Sequence, residues 1–189
     1  MKHTIRSALA LFIIAGAVMA ALGVTHALTR EAAAGQEAKQ RAKVMGQVLP
    51  SASEFAAVEA DNFPDFVVAA HEGFAGGVSV GFVVEVLPHG YGGPIDMMVG
   101  ISSGEPGFIT GVRILRHSET PGLGALAVKE RFRSQFAGKE LIELTVVKGS
   151  PREDEIDAIA GSTITSKAVT NGVNIAVRWY SENSERIGG

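Results

Sequence analysis

Residues Ile159-Ala-Gly-Ser-Thr-Ile-Thr-Ser-Lys167 place four hydroxyl side chains within five positions, directly after a glycine and ahead of an apolar-periodic stretch. A helix starting here presents backbone N–H groups with no intrahelical acceptor and the positive end of its dipole. That environment favours an anion, phosphate above all. Ser162 and Thr163 are placed to cap the helix or to bond the anion, and Lys167 adds positive charge one turn on. Thr165 precedes Val169 by four residues and Gly172 by seven, so its hydroxyl borders the apolar face of the helix. Ordinary N-capping by Ser162 is the competing reading. Capping uses one hydroxyl and leaves the other three without a role.

Two further segments carry similar ambiguity. In His117-Ser-Glu-Thr-Pro-Gly-Leu-Gly124, Thr-Pro-Gly dictates a turn, and Gly122 and Gly124 let a ligand approach the backbone closely. A plain connecting loop explains the same residues. Gly90-Tyr-Gly-Gly-Pro-Ile95 offers an aromatic ring flanked by glycines, suited to stacking on a flat ligand or to filling a tight hairpin.

Other chemistries find less support. The chain has no cysteine, which removes disulfides, Fe–S clusters, Cys-ligated zinc and thioether-linked haem. Its five histidines, at positions 3, 26, 71, 89 and 117, form no local metal-binding pair. Neither the dinucleotide fingerprint nor the P-loop pattern is present. Ser118 and Ser162 lie outside any G-x-S-x-G elbow, so a hydrolase has no identifiable base or nucleophile turn. The net charge of −3 supplies no basic field for nucleic acid.

The elements that must position these segments are short. Strands are predicted at Phe66–Ala70, Val78–Leu87, Ile95–Ser102 and Phe108–Arg116, punctuated by Gly/Pro turns. An amphipathic helix is predicted over Ala125–Phe136, a strand over Leu141–Val147, and a final helix over Thr163–Ser181. Strands grouped first and helices later give an α+β class, an antiparallel sheet packed with helices.

Ahead of this body, Ser7–Thr29 contains no Asp, Glu, Lys or Arg, and Ala8–Val24 is almost wholly apolar. About 20 such residues span a hydrocarbon core. The run reads as one retained N-terminal transmembrane helix, with a cleaved signal ending near Thr25-His26-Ala27 as the competing reading. Basic residues flank it on both sides, so charge alone leaves the orientation open. The expected division is a cytoplasmic N-terminus and transmembrane helix in 1–29, a juxtamembrane helix or linker in 30–50 closed by Pro50, and one domain in 51–189.

Taken in order, the N-terminal helix, Gly90–Ile95, Ile109-Thr-Gly-Val-Arg-Ile-Leu115, Glu119–Gly124 and Asp157–Ser166 resemble the G subunit of the Rnf (Rsx-like) electron-transport complex. That protein is a single-pass membrane protein with one FMN-binding domain. The chain also resembles, less closely, the C subunit of the Na⁺-translocating NADH:quinone oxidoreductase. The resemblance implies FMN esterified through its phosphate to Thr165, the last threonine of a motif here read as Ala160-Gly-Ser-Thr-Ile-Thr165. Ala160 and Ser162 depart from the usual residues, and both are small. Cofactor contacts are expected from Glu119, Thr120, Gly122, Leu123, Gly124, Gly161, Ser162, Thr163, Ile164 and Lys167.

The resemblance further implies an electron-carrier subunit of a ferredoxin:NAD oxidoreductase coupled to Na⁺ or H⁺ translocation, and not a stand-alone catalyst. Its partners would be the other membrane subunits, with a flavin transferase for maturation. It also puts the domain on the extracytoplasmic side of the cell (inner) membrane. Two alternatives stand beside it: an anchored module binding a phosphorylated ligand reversibly, and an FMN carrier of another membrane redox system.

Overall fold

The computed structural model describes the backbone of residues 2–59 and 63–187, and side chains within 6, 11–26, 35–59 and 63–184. The chain divides into two compact units, Met1–Ala42 and Lys43–Gly189. Helix α1 runs Lys2–Val48, and its last turns belong to the second unit. In the first unit Leu11, Phe12, Ile13, Ile14 and Met19 are each at least 60% exposed. Among the described residues no helix is long and apolar enough to cross a membrane. The apolar run expected over 8–24 lies partly outside them, because side chains 8–10 are not described.

The second unit is a five-stranded antiparallel meander: β1 Glu54–Ala57, β2 Val67–Ala75, β3 Val78–Val86, β4 Asp96–Ser102 and β5 Ile109–Arg116. A 3₁₀ turn at Gly124–Val128 and a one-turn α2 at Glu130–Arg133 follow. Two short strands, β6 Thr145–Val147 and β7 Glu155–Asp157, then pair in parallel. The last helix, α3, runs Thr163–Ile187.

Alternation along β3 and β4 feeds two cores. Phe82, Val84, Val86, Met97, Val99 and Ile101 join Val169, Val173, Ala176 and Trp179 of α3 in the larger one. Val83 and Met98, of opposite parity, face Val44, Val48 and Leu49 at the end of α1. The two central strands therefore read as nearly unbroken apolar runs. Trp179 is 3% exposed and packs edge-on to Phe82 at 6.4 Å. Tyr180 packs tilted against the same ring at 5.4 Å. Burial pushes its hydroxyl above the ordinary tyrosine range, and the Glu105 carboxylate adds to the shift.

Glycines make both helix contacts close. A Cβ at Gly172 of α3 would sit 2.8 Å from Pro88 and 2.9 Å from the Met97 sulfur. On the opposite face, a Cβ at Gly73 would meet Leu49 and Ala52, one at Gly81 would meet the Ile101 carbonyl and Leu49, and one at Gly100 would meet the Val48 carbonyl. Into that furrow the end of α1 settles, with the Thr110 hydroxyl donating to the Val48 carbonyl and Arg113 to Gln47.

Four expectations change. A short β1, with Phe55 its one large apolar residue, adds a strand that its length concealed. Strand β2 begins at Val67 and runs on to Ala75. The helix expected over 125–136 is broken at Lys129, whose ψ of 145° is extended. There the Arg133 side chain takes the Val128 carbonyl at 2.7 Å and the Val112 carbonyl at 3.0 Å. Finally, the strand expected over 141–147 keeps only its last three residues and pairs in parallel with β7. Leu144 instead bonds the Asn174 side chain of α3 through both its N–H and its carbonyl, each at 2.9 Å.

Candidate functional site

The first i→i−4 bond at the start of α3 runs from the Ser166 N–H to the Ser162 carbonyl at 3.0 Å. The N–H groups of 163–165 thus precede the ladder and stay available to a ligand. Gly161, with φ +76°, turns the chain from β7 into the helix, and a Cβ there would come within 3.2 Å of Leu123. Around this turn opens a cavity of about 970 Å³. Residues 157–165 form one side of it, Glu119, Thr120, Leu123 and Gly124 another, and Tyr91, Lys148 and Gly149 complete the lining.

At the base of the cavity Thr165 is 1% exposed, and its hydroxyl donates to Glu119 Oε2 at 2.6 Å. Glu119 is 6% exposed and accepts from the Gly92 N–H on its other oxygen at 2.9 Å. Two glycines make room for that carboxylate and a third for the backbone that carries it. A Cβ at Gly90 would collide with Glu119 Oε1, one at Gly92 with the Ser118 carbonyl, and one at Gly124 with both Glu119 Oε2 and the Thr165 hydroxyl. The Gly90–Ile95 segment is indeed a hairpin, closed by Gly90 N–H to Gly93 carbonyl and Ile95 N–H to Pro88 carbonyl, both 2.8 Å. It also delivers Tyr91, 71% exposed, to the cavity rim.

Most of the expected contact residues meet here: Glu119, Thr120, Leu123, Gly124, Gly161, Ser162, Thr163, Ile164 and Thr165 all line one cavity. Gly122 does not; it is exposed, with φ +76°, and shapes the turn in which the Leu123 and Ala125 N–H groups both reach the Thr120 carbonyl at 3.2 Å. Lys167 is exposed and lies outside the lining. Lys148 supplies the lining's basic side chain instead. Residue type does not single it out, because its turn, Lys148-Gly-Ser-Pro, looks like any surface connection. Asp157 is equally inconspicuous in the sequence. Its carboxylate accepts from the Gly149 N–H at 2.7 Å and ties the two sides of that turn together. His117 Nδ1 accepts from the Glu119 N–H at 3.2 Å, a contact internal to the loop.

Residues 90–178 match the FMN-binding domain family, which supports FMN as a cofactor. Over 199 residues the chain is 37% identical to the G subunit of the Na⁺-translocating ferredoxin:NAD⁺ oxidoreductase complex of Acetobacterium woodii, covering 97% of this chain and 95% of that one. It is 33% identical to the G subunit of the ion-translocating oxidoreductase complex of Methanosarcina acetivorans, covering 95% and 96%. The fold is shared with the crystal structure of NqrC from Shewanella oneidensis, at a TM-score of 0.57 and 21% identity over 72% of this chain and 71% of that one. The chain belongs to the family of G subunits of ion-translocating oxidoreductase (Rnf) complexes.

Proposed function

We propose that the chain is a membrane-anchored electron-transfer subunit carrying FMN bound covalently through a phosphoester to Thr165, within a ferredoxin:NAD oxidoreductase complex coupled to Na⁺ or H⁺ translocation. The observation that carries this reading is the Thr165 hydroxyl at the base of the cavity, beside the open start of α3. When bound, FMN supplies one-electron and two-electron redox chemistry between a donor and an acceptor.

The residues fit such a group. The N–H groups of 163–165 and the dipole of a 25-residue helix favour the remaining negative charge of a phosphodiester. Lys148 adds charge from across the cavity. Tyr91, Leu123, Ile159 and Ile164 offer apolar surface to a flat ring, and the volume lies within the range of small-molecule sites. Attachment through Thr165 would keep the flavin from dissociating outside the cytoplasm.

The exposed apolar side chains of α1 support an anchor within residues 1–29. A juxtamembrane helix would follow in 30–50 and the FMN-binding domain in 51–189, on the extracytoplasmic side of the inner membrane. The other membrane subunits would be its electron donor and acceptor, and a separate flavin transferase would install the FMN.

Co-expression with a flavin transferase, followed by denaturation, tests the reading. The expected result is flavin fluorescence on the denatured band and an FMN-sized mass increase on the peptide containing Thr165, both absent from Thr165→Val. A dark wild-type band, with a transferase active on another acceptor, would overturn covalent attachment and favour a module that binds a phosphorylated ligand reversibly.

A further inference from the structure

Thr165 and Ser166 are adjacent on α3 and both are buried, yet they satisfy their hydroxyls in opposite ways. Ser166 donates to the Ser162 carbonyl four residues back at 2.9 Å, the ordinary solution for a hydroxyl in a helix. Thr165 instead donates to a carboxylate 46 residues away in sequence. Satisfying one hydroxyl does not require a carboxylate, and burying a carboxylate is destabilising unless it is bonded. Here the molecule builds a seat for it. One oxygen is fixed by the Gly92 N–H, the other faces Thr165, and the bare Cα atoms of Gly90 and Gly124 lie where any side chain would displace it.

Such an arrangement has the form of an activated nucleophile. A weakly acidic hydroxyl lies within hydrogen-bond reach of a base, and a third group orients the base. In that comparison Thr165 is the nucleophile, Glu119 the base, and the Gly92 N–H the orienting group.

We propose that Glu119 is the catalytic proton acceptor for modification of Thr165, so that the chain brings its own base to the transferase that modifies it. This inference rests on the reading of Thr165 as the flavin attachment residue. In the step, the Thr165 oxygen forms a bond to the flavin-side phosphorus of a flavin dinucleotide. The P–O bond of the pyrophosphate breaks, the nucleoside monophosphate leaves with the bonding pair, and the hydroxyl proton passes to Glu119 Oε2. No electron is gained or lost. Gly124 acts through Glu119: it touches no reactant other than the Thr165 hydroxyl, and its missing Cβ allows carboxylate and hydroxyl to meet.

The test uses the full, unmodified chain in detergent with a flavin transferase, FAD and Mg²⁺, following FMN mass on the peptide containing Thr165. Glu119→Gln keeps the shape and removes the base. The expected result is a fall in kcat for the chain as acceptor of about 100-fold, with its KM, its melting temperature and the final stoichiometry unchanged. Loss of folded protein alone would lower the stoichiometry and leave kcat per folded molecule intact. Gly124→Ala, which pushes the carboxylate aside while leaving it ionisable, is expected to lower kcat about 10-fold.

Glu119→Gln modified at the wild-type kcat would overturn the proposal while leaving attachment at Thr165 standing. If Glu119→Gln fails to fold, Gly124→Ala decides: modification of the folded variant at the wild-type kcat overturns it. A wild-type chain that takes no flavin at Thr165 would overturn the attachment reading, and this inference with it. That failure shows in the wild-type sample alone.

Discussion

On one face of the sheet, Gly73, Gly81 and Gly100 are bare so that Leu49 and the Val48 carbonyl can approach; at the cavity, Gly90, Gly92 and Gly124 are bare so that Glu119 and its neighbours can. The device is the same and the cargo differs. The furrow admits an apolar side chain and backbone, whose gain is burial and packing. The cavity admits a carboxylate and a hydroxyl, whose burial costs stability and is repaid in chemistry. A methyl group added to the furrow should therefore strongly destabilise the domain, whereas one added at the cavity should leave it folded and slower as an acceptor.

Substitutions at the two places turn this contrast into numbers, read by denaturant unfolding with Trp179, the single tryptophan, as the probe. Gly81→Ala combines a φ of +153° with collision against the Ile101 carbonyl, and is expected to cost about 4 kcal/mol. Leu49→Ala, emptying the furrow instead of overfilling it, should cost about 3 kcal/mol. Flavin loading per folded molecule should stay at the wild-type level in both. Thr165→Val leaves Glu119 Oε2 without its donor and should cost about 2 kcal/mol while abolishing loading altogether. Gly124→Ala crowds the Glu119 carboxylate and the Thr165 hydroxyl without meeting backbone, disturbs the same hydrogen bond, and should cost about 2 kcal/mol. If Gly124→Ala proves as destabilising as Gly81→Ala, the distinction between the two glycine sets collapses.

The α+β class and the four longer strands were legible because period-two alternation and Gly/Pro turns are local signals. So was α3, whose apolar stripe over Ala168, Val169, Val173, Ala176 and Trp179 is the buried one. The break at Lys129 was not legible, since it depends on Arg133 reaching carbonyls that only the fold brings near. Nor was the parallel pairing of β6 with β7, which follows from side-chain amides on α3 and near α2.

At the cavity, the hydroxyl cluster and the Glu119–Gly124 loop could be singled out from residue type alone. Their meeting could not. Thr165 and Glu119 lie 46 residues apart, and neither names the other as partner. Lys148 stayed hidden for the same reason: its role comes from the fold bringing its turn to the cavity.

One wall of the cavity lacks a long ladder to the main sheet. Residues 141–161 hold to the rest through Leu144 and Ile156 in the larger core, the Asn174 amide on Leu144, the Ser166 hydroxyl on the Ile159 N–H, Lys139 on the Glu153 carbonyl, and the Gln135 amide, which accepts from the Asp157 N–H at 2.7 Å and donates to its carbonyl at 3.3 Å. Side-chain bonds and packing thus do the work that a full ladder does between β3 and β4. Bonds from single side chains open locally more readily than a long ladder. In native-state hydrogen exchange, the Leu144 and Asp157 amides should trade their protons well ahead of Val84 and Val99. With Thr165 only 1% exposed, a modifying enzyme would reach it only through an opening of the domain, and faster exchange at these amides than at Val84 and Val99 would place that opening in this wall.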